Sequence, residues 1–250
     1  MSSKVTKAGN NKIPPTFNEF KDLVLKGDLA SSSSINTSAD FYDNMPSIIR
    51  MLHNLDPTGI SSVIDQILTN DKDNREQDNI LRAIYLLAQA IQTSQEELSN
   101  LKRDYLSAQI PLLTHSYFHN SKTTFHQSKI ELFRNIWLNG LLDTDRREGE
   151  KQRIFTLVAS MTEDEISVLK FLHKTFISGT NQEPPNIEDI ANNLGIDSLY
   201  AQQLCLGLQS YGLVVDWANG KLNANSAVQF IITGYTYRLV SYITDLKHDE

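Results

Sequence analysis

Apolar residues recur at alternating steps of four and three along one stretch in the middle of the chain. A repeat that averages 3.5 residues is typical of the seam of a coiled coil. The stretch therefore predicts a single helix of about four heptads, which should stop or kink at Pro111 because proline has no backbone N–H. The repeat positions are Ile80, Ile84, Leu87, Ile91, Ser94, Leu98, Leu101, Tyr105 and Ala108, and the larger apolar ones, Ile80, Ile84, Leu87, Ile91, Leu98, Leu101 and Tyr105, form the predicted association seam.

A narrow apolar stripe of this kind needs a second helix to cover it. One interpretation is a homodimer, in which the same helix of a second copy supplies the partner. The other is a hairpin within one chain, in which the stripe packs on a downstream helix predicted for residues 123–142. That helix offers an apolar face wide enough for a core, made of Phe125, Ile130, Leu132, Phe133, Ile136, Trp137 and Leu141.

The residues before this stretch are more polar. Residues 1–16 carry three lysines and no acid, which predicts a mobile tail. A short docking helix is predicted from Phe17, Phe20, Leu23 and Val24, and a serine-rich linker follows it to about residue 46. Residues 47–160 are predicted to form a helical domain with the heptad helix at its centre and a last helix from Glu148 to Ala159.

The C-terminal part shows three helix starts with recognisable caps. Thr162 and Glu165 have the spacing of a capping box, so a helix should begin there. Asn186 should cap a short helix over residues 187–194, and Gly195 should end it in the left-handed conformation. Asp197 should then cap a third helix that ends near Gly212.

A strand hairpin is predicted directly after the third helix. Leu213–Val215 has strand character, Asn219-Gly220 is a strong two-residue turn, and residues 228–232 alternate as a returning strand. Thr233 should cap a last helix. Helix, short helix, helix and hairpin in this order predict a winged helix-turn-helix domain over residues 161–250, so the fold class is mainly α with a winged-helix C-terminal domain.

Two segments resemble a known group of bacterial proteins. They are Lys129–Leu141, with the sequence KIELFRNIWLNGL, and Met161–Leu172, with the sequence MTEDEISVLKFL. Together they resemble uncharacterised bacterial proteins in which a helical region precedes a winged helix, among them the abortive-infection-alpha-like group associated with phage defence. The resemblance implies the same domain order and a defence context. It implies no site residues, because the shared positions are packing positions.

Charge decides how the predicted winged helix is interpreted. The chain has a formal net charge of −7, and residues 161–250 carry five basic side chains among eleven acidic ones. A DNA-binding protein typically neutralises about 6 to 10 phosphates, so the acidic domain favours a protein partner over duplex DNA. A DNA-binding regulator remains the alternative, and the candidate face for either partner is Gln202, Gln203, Gln209, Lys221 and Arg238.

No residue pattern indicates catalysis, a cofactor or a metal. His115 and His119 are four apart, with His126 nearby, but no carboxylate or cysteine completes a ligand set. Cys205 lies among leucines, where burial should raise a thiol pKa, so we interpret it as a core residue. Glycine-rich phosphate loops and nucleophile elbows are absent from the sequence. The sequence therefore predicts a non-enzymatic adaptor or regulatory protein that self-associates through the long helix and binds a protein partner through the acidic winged helix.

The expected compartment is the cytoplasm. One cysteine allows no disulfide within the chain. No stretch approaches the roughly 18 apolar residues that span a bilayer, and the first residues lack the apolar region of a signal peptide. We therefore expect no membrane partner.

Overall fold

The described part of the chain is mainly helical, as the sequence predicts. A computed structural model describes residues 16, 18–19, 74–177, 184–216 and 229–245. These residues form helices and one two-stranded antiparallel sheet. Contacts divide the chain into two compact units, Met1–Gln152 and Arg153–Glu250. The predicted tail, docking segment and linker, except for residues 16 and 18–19, and residues 47–73 of the predicted helical domain lie outside the described residues.

Four helices and the start of a fifth make up the described part of the first unit. They are α1 (Asn74–Thr93), α2 (Gln95–Ser99), α3 (Arg103–Thr123), α4 (Gln127–Leu142) and α5 (Glu148–Ser160), whose residues from Arg153 onward belong to the second unit.

The prediction of one continuous heptad helix is wrong, because the chain leaves helical geometry twice within the repeat. Ser94 has φ −112° and ψ 28° between α1 and α2, and Lys102 is extended before α3. The hydroxyls of Thr93 and Ser99 donate to the carbonyls three residues earlier. Such local bonds compete with the regular helical ladder, and one of them lies just before each of the two interruptions.

Of the two outcomes predicted at Pro111, a stop or a kink, the stop does not occur, since α3 continues through this residue to Thr123. A proline inside a helix costs about 3 kcal/mol because it removes one hydrogen bond and crowds the preceding turn. Ile110, Leu113 and Thr114 on either side of Pro111 are buried. Their packing offsets the local cost.

Helices α1 and α3 run antiparallel, and α3 and α4 do so as well. Asn79 near the start of α1 donates to the carbonyl of Thr124 at 2.8 Å, just beyond the end of α3. The Tyr117 hydroxyl donates to the Ala83 carbonyl at 2.7 Å. Trp137 Nε1 of α4 donates to Thr114 Oγ1 of α3 at 3.1 Å. Both α3 and α4 also pack on α1, so the three long helices form a bundle within one chain.

The second unit contains the remaining elements. They are the rest of α5, then α6 (Glu163–Ile177), α7 (Ile187–Leu194), α8 (Ser198–Ser210), β1 (Val214–Asp216), β2 (Phe230–Ile232) and α9 (Gly234–Ile243).

The predicted caps of α6, α7 and α8 are confirmed. Thr162 and Glu165 exchange hydrogen bonds of 2.7 and 3.1 Å at the start of α6. Asn186 forms the same kind of capping box with Asp189 at the start of α7. Gly195 ends α7 with φ +67°, a conformation that few residues other than glycine adopt readily. These bounds depend on interactions within a few residues, which sequence patterns capture well.

Strands β1 and β2 pair antiparallel, with Val214 opposite Ile232 and Val215 opposite Ile231. On its other side β2 is extended by a bridge between Gln229 and Asn186. The predicted turn at Asn219-Gly220 and the start of the returning strand at Val228 lie outside the described residues.

Thr233 occupies the position before α9, as predicted, but it does not cap the helix with its side chain. Its hydroxyl donates to the Gly212 carbonyl at 3.0 Å instead. The threonine therefore joins the start of α9 to the turn that precedes β1.

Two buried hydroxyls on α3 provide a matched test of the first unit. Thr114 accepts the Trp137 Nε1 proton, whereas the Ser121 hydroxyl has no hydrogen-bond partner among the described residues. We expect Thr114→Val to lower the free energy of unfolding by about 1 to 3 kcal/mol, because it leaves the indole N–H buried and unpaired. Ser121→Ala should be neutral or stabilising. Urea denaturation measures both, and an equal loss in the two variants would contradict this hydrogen-bond assignment.

Candidate functional site

Helix α8 has one buried face and one exposed face. Asp197 precedes it and accepts a hydrogen bond from the Tyr200 N–H at 2.8 Å, which fixes where the helix begins. Its buried side packs on α6, α7 and β1. The buried residues are Ala201, Leu204, Cys205 and Leu208.

Gly207 allows α8 to lie close to α6. A Cβ atom at this position would collide with Oε1 of Glu165. The same carboxylate accepts the Thr162 N–H through Oε2 at 2.7 Å and is buried. One side chain thus caps α6 and packs against the backbone of α8.

The exposed face of α8 is an uncharged stripe, here called the α8 stripe. Its positions recur at helical spacing on the side opposite the buried residues. Leu199 is 66% exposed and Leu206 is 51% exposed, and their spacing of seven residues places them one above the other on the helix. The α8 stripe consists of Leu199, Gln202, Gln203, Leu206, Gln209 and Ser210.

The structure brings together part of the predicted partner face. Gln202, Gln203 and Gln209 are exposed on the α8 stripe. Lys221 lies outside the described residues, and Arg238 is exposed on α9 rather than on α8. Sequence reasoning missed Leu199, whose spacing of seven residues from Leu206 places both leucines on one face of a helix.

Carboxylates surround the first turn of α8. The Tyr200 hydroxyl donates to Asp164 Oδ2 of α6 at 2.6 Å, while the Tyr200 N–H donates to Asp197. The bond to Asp164 is the main cause of a raised Tyr200 pKa, because the phenol must keep its proton to donate. Residues 184–216 contain four acids and neither lysine nor arginine. The end of the α8 stripe that contains Leu199 therefore lies beside two carboxylates.

Cys205 lies on the buried side of α8. Burial raises the pKa of its thiol to about 12, because no solvent stabilises the thiolate. At neutral pH the residue is a protonated thiol in the core, in line with its interpretation as a packing residue.

His115 and His119 are exposed on α3, with ring centroids 6.2 Å apart and nearly parallel planes. His126 is exposed as well, before α4. Among the described residues no three His, Cys, Asp or Glu side chains are grouped closely enough to hold a metal ion.

The predicted association seam is divided between covered and partly covered positions. Ile80, Ile84, Leu87 and Ile91 are at most 4% exposed within the single chain. Leu98, Leu101 and Tyr105 are half-buried, and they lie beyond the first interruption of the helix. For the first four residues the structure shows the intrachain packing that the sequence left open as an alternative.

Lys151 is the most deeply buried charged residue among those described, with 0% of its surface exposed. Its Nζ donates to the Asp143 carbonyl at 2.7 Å, to the Tyr105 hydroxyl at 3.0 Å and to Gln109 Oε1 at 3.4 Å. All three acceptors are neutral. Burial therefore lowers the Lys151 pKa, although the carboxylates of Asp143 and Glu148 partly oppose the shift.

Comparison with protein-family models, with curated proteins and with solved structures finds no match for this chain. No helix among the described residues is both long and apolar enough to cross a membrane.

The buried lysine should make the free energy of unfolding depend on pH in the alkaline range. The folded pKa is lowered, whereas the unfolded value stays near 10.5. Between these two values the unfolded chain binds more protons, so the free energy of unfolding rises with pH, and below the folded pKa the cost of burying the charge is fully present.

We expect urea denaturation from pH 7 to pH 10.5 to show wild type gaining stability relative to Lys151→Met. The same comparison is made in a Tyr105→Phe background, because the Tyr105 hydroxyl contacts Lys151 Nζ and its titration would otherwise differ between the two proteins. A difference that stays constant with pH would show that Lys151 carries no lowered pKa in the folded state.

Proposed function

We propose that this chain is a non-enzymatic adaptor or regulatory protein that binds a protein partner through the α8 stripe of an acidic winged helix. The order α6, α7, α8, β1, β2 supports the winged-helix interpretation. The sheet pairing supports it further. β2 pairs with β1 on one side, and on its other side Gln229 forms a bridge with Asn186, which adds a single bridged residue from the segment between α6 and α7. The resemblance stated above adds phage defence to the proposal as its biological context.

In a helix-turn-helix the second helix of the motif is the one that presents side chains to a partner. Here that helix is α8. Fold alone does not identify the partner, so the chemistry of the exposed face decides between candidates.

The observation that carries the proposal is the combination of two exposed leucines with an absence of basic residues from 184–216. Burying a leucine side chain contributes about 1.5 to 3 kcal/mol, and a few such residues dominate the affinity of many protein interfaces. Duplex DNA would have to approach a surface with acids at Asp164 and Asp197 and no lysine or arginine on α8.

DNA binding remains the second candidate because of the glutamines. Gln202 and Gln203 are both exposed, and a glutamine amide can bind the edge of an adenine with two hydrogen bonds. Arg238 on α9 is exposed, and an arginine guanidinium pairs well with a phosphate. Both observations fit a transcriptional regulator.

The first experiment is a mobility-shift titration of the full chain with duplex DNA at about 50 mM salt, where phosphate contacts are strong. We expect no shift. A shifted complex that weakens steeply as salt is raised would favour the transcriptional regulator instead.

The second experiment compares partners recovered with three tagged proteins, which are wild type, Leu199→Gln/Leu206→Gln and Phe125→Gln. Glutamine keeps helix propensity close to that of leucine. Phe125 is 77% exposed in the first unit and serves as the matched control for loss of exposed apolar surface.

We expect one or more proteins to bind wild type and Phe125→Gln in stoichiometric amounts, and to be lost with the double variant at an unchanged melting temperature. Identical recovery with all three proteins would reject the α8 stripe as the docking surface.

A further inference from the structure

We infer that the partner segment that binds the α8 stripe is a cationic amphipathic helix. The inference rests on the proposed docking function and adds the chemistry of the partner. It follows from the spacing of the exposed leucines and from the charges at one end of the stripe.

The spacing of the leucines sets the shape of the partner. Seven residues along a helix correspond to about 10 Å, so Leu199 and Leu206 offer two apolar contacts that far apart. A helix that lies along α8 matches them with apolar side chains of its own at positions i and i+7. Gln202 and Gln203 lie between the leucines, where their amides can donate and accept across the contact.

The carboxylates near the α8 stripe determine the sign of the partner's charge. At the Leu199 end, Tyr200 holds two carboxylates in place, Asp197 through its N–H and Asp164 through its hydroxyl. Because Tyr200 is hydrogen-bonded to both acids, Asp197 is held at the start of α8 and Asp164 is held beside its first turn. No basic side chain between residues 184 and 216 neutralises them. Lysine or arginine on the partner, beside its apolar position, would complement this end.

The positive charge of the partner also distinguishes it from other helices that have apolar residues at the same spacing. An acidic helix would place like charges against Asp164 and Asp197, which lowers affinity and steers the wrong partner away. A second copy of α8 would bring its own Asp197 and would supply no cation from residues 184–216.

The test uses a displayed library of 21-residue helical peptides, with the charged positions and the apolar spacing randomised. The whole 250-residue chain is the bait. Peptides that also bind the Leu199→Gln/Leu206→Gln variant are discarded, because they bind elsewhere on the protein. We expect the enriched peptides to carry apolar residues seven apart and an excess of lysine and arginine.

One enriched peptide is then measured against charge variants of the protein. Asp164→Asn/Asp197→Asn keeps an acceptor oxygen for the Tyr200 hydroxyl and keeps a residue that caps helices well. Glu96→Gln/Glu97→Gln removes the same net charge from exposed positions of α2 and is the control. Because individual exposed charge pairs are weak, we expect the first variant to bind about five- to tenfold more weakly and the control to bind within about twofold of wild type.

The outcomes separate the two proposals. Peptides that depend on the leucines but are neutral or acidic, or that lose equal affinity in both charge variants, would overturn the cationic partner and leave the docking surface in place. A library in which no peptide distinguishes wild type from the leucine variant would overturn the docking surface itself.

Discussion

The carboxylate of Glu165 lies between the first turn of α6 and the backbone of α8, and the second unit depends on this contact. One carboxylate oxygen accepts the Thr162 N–H, while the other lies where a Cβ of residue 207 would be. A glycine at 207 leaves room for a buried carboxylate at this crossing, whereas a residue with a Cβ would require the Glu165 side chain to move. The capping interaction and the distance between the two helices are therefore one constraint.

The exposed face of α8 follows from that constraint. Because Ala201, Leu204 and Leu208 are directed into the core, the residues half a turn away must face solvent. The two leucines on that face keep more than half of their surface exposed to solvent. Core packing does not explain them, which is why they carry the functional proposal.

The first unit is organised by buried polar groups as well as by apolar packing. Asn79, Tyr117 and Trp137 each donate to an acceptor on another helix or at its end, and each bond has one geometry that satisfies it. Lys151 does the same for the turn after α4, where the Asp143 carbonyl also accepts the Tyr105 hydroxyl. An unpaired polar group in such a place is costly, so these bonds select one register among the many that apolar contacts alone would permit.

The heptad stretch shows how a periodic pattern can be real and still mislead. Ser94 and four of the apolar seam residues are buried, but so are Leu81, Ala83 and Leu86, which fall outside the narrow seam. A helix buried on nearly all sides is a core helix rather than one side of a coiled coil. The pattern did not show this, because burial on the other faces comes from residues distant in sequence.

The sequence by itself determined the mainly helical fold, the caps of α6, α7 and α8, the end of α7 at Gly195 and the glutamines of the α8 stripe. Each of these depends on residues within about one or two turns of each other, so the pattern contains the whole interaction. Only the tertiary structure decided that the heptad helix is interrupted, that Pro111 is held inside α3, that Lys151 is buried among neutral acceptors and that Leu199 remains exposed. These depend on which distant segment covers a given face, and one-dimensional periodicity does not specify that.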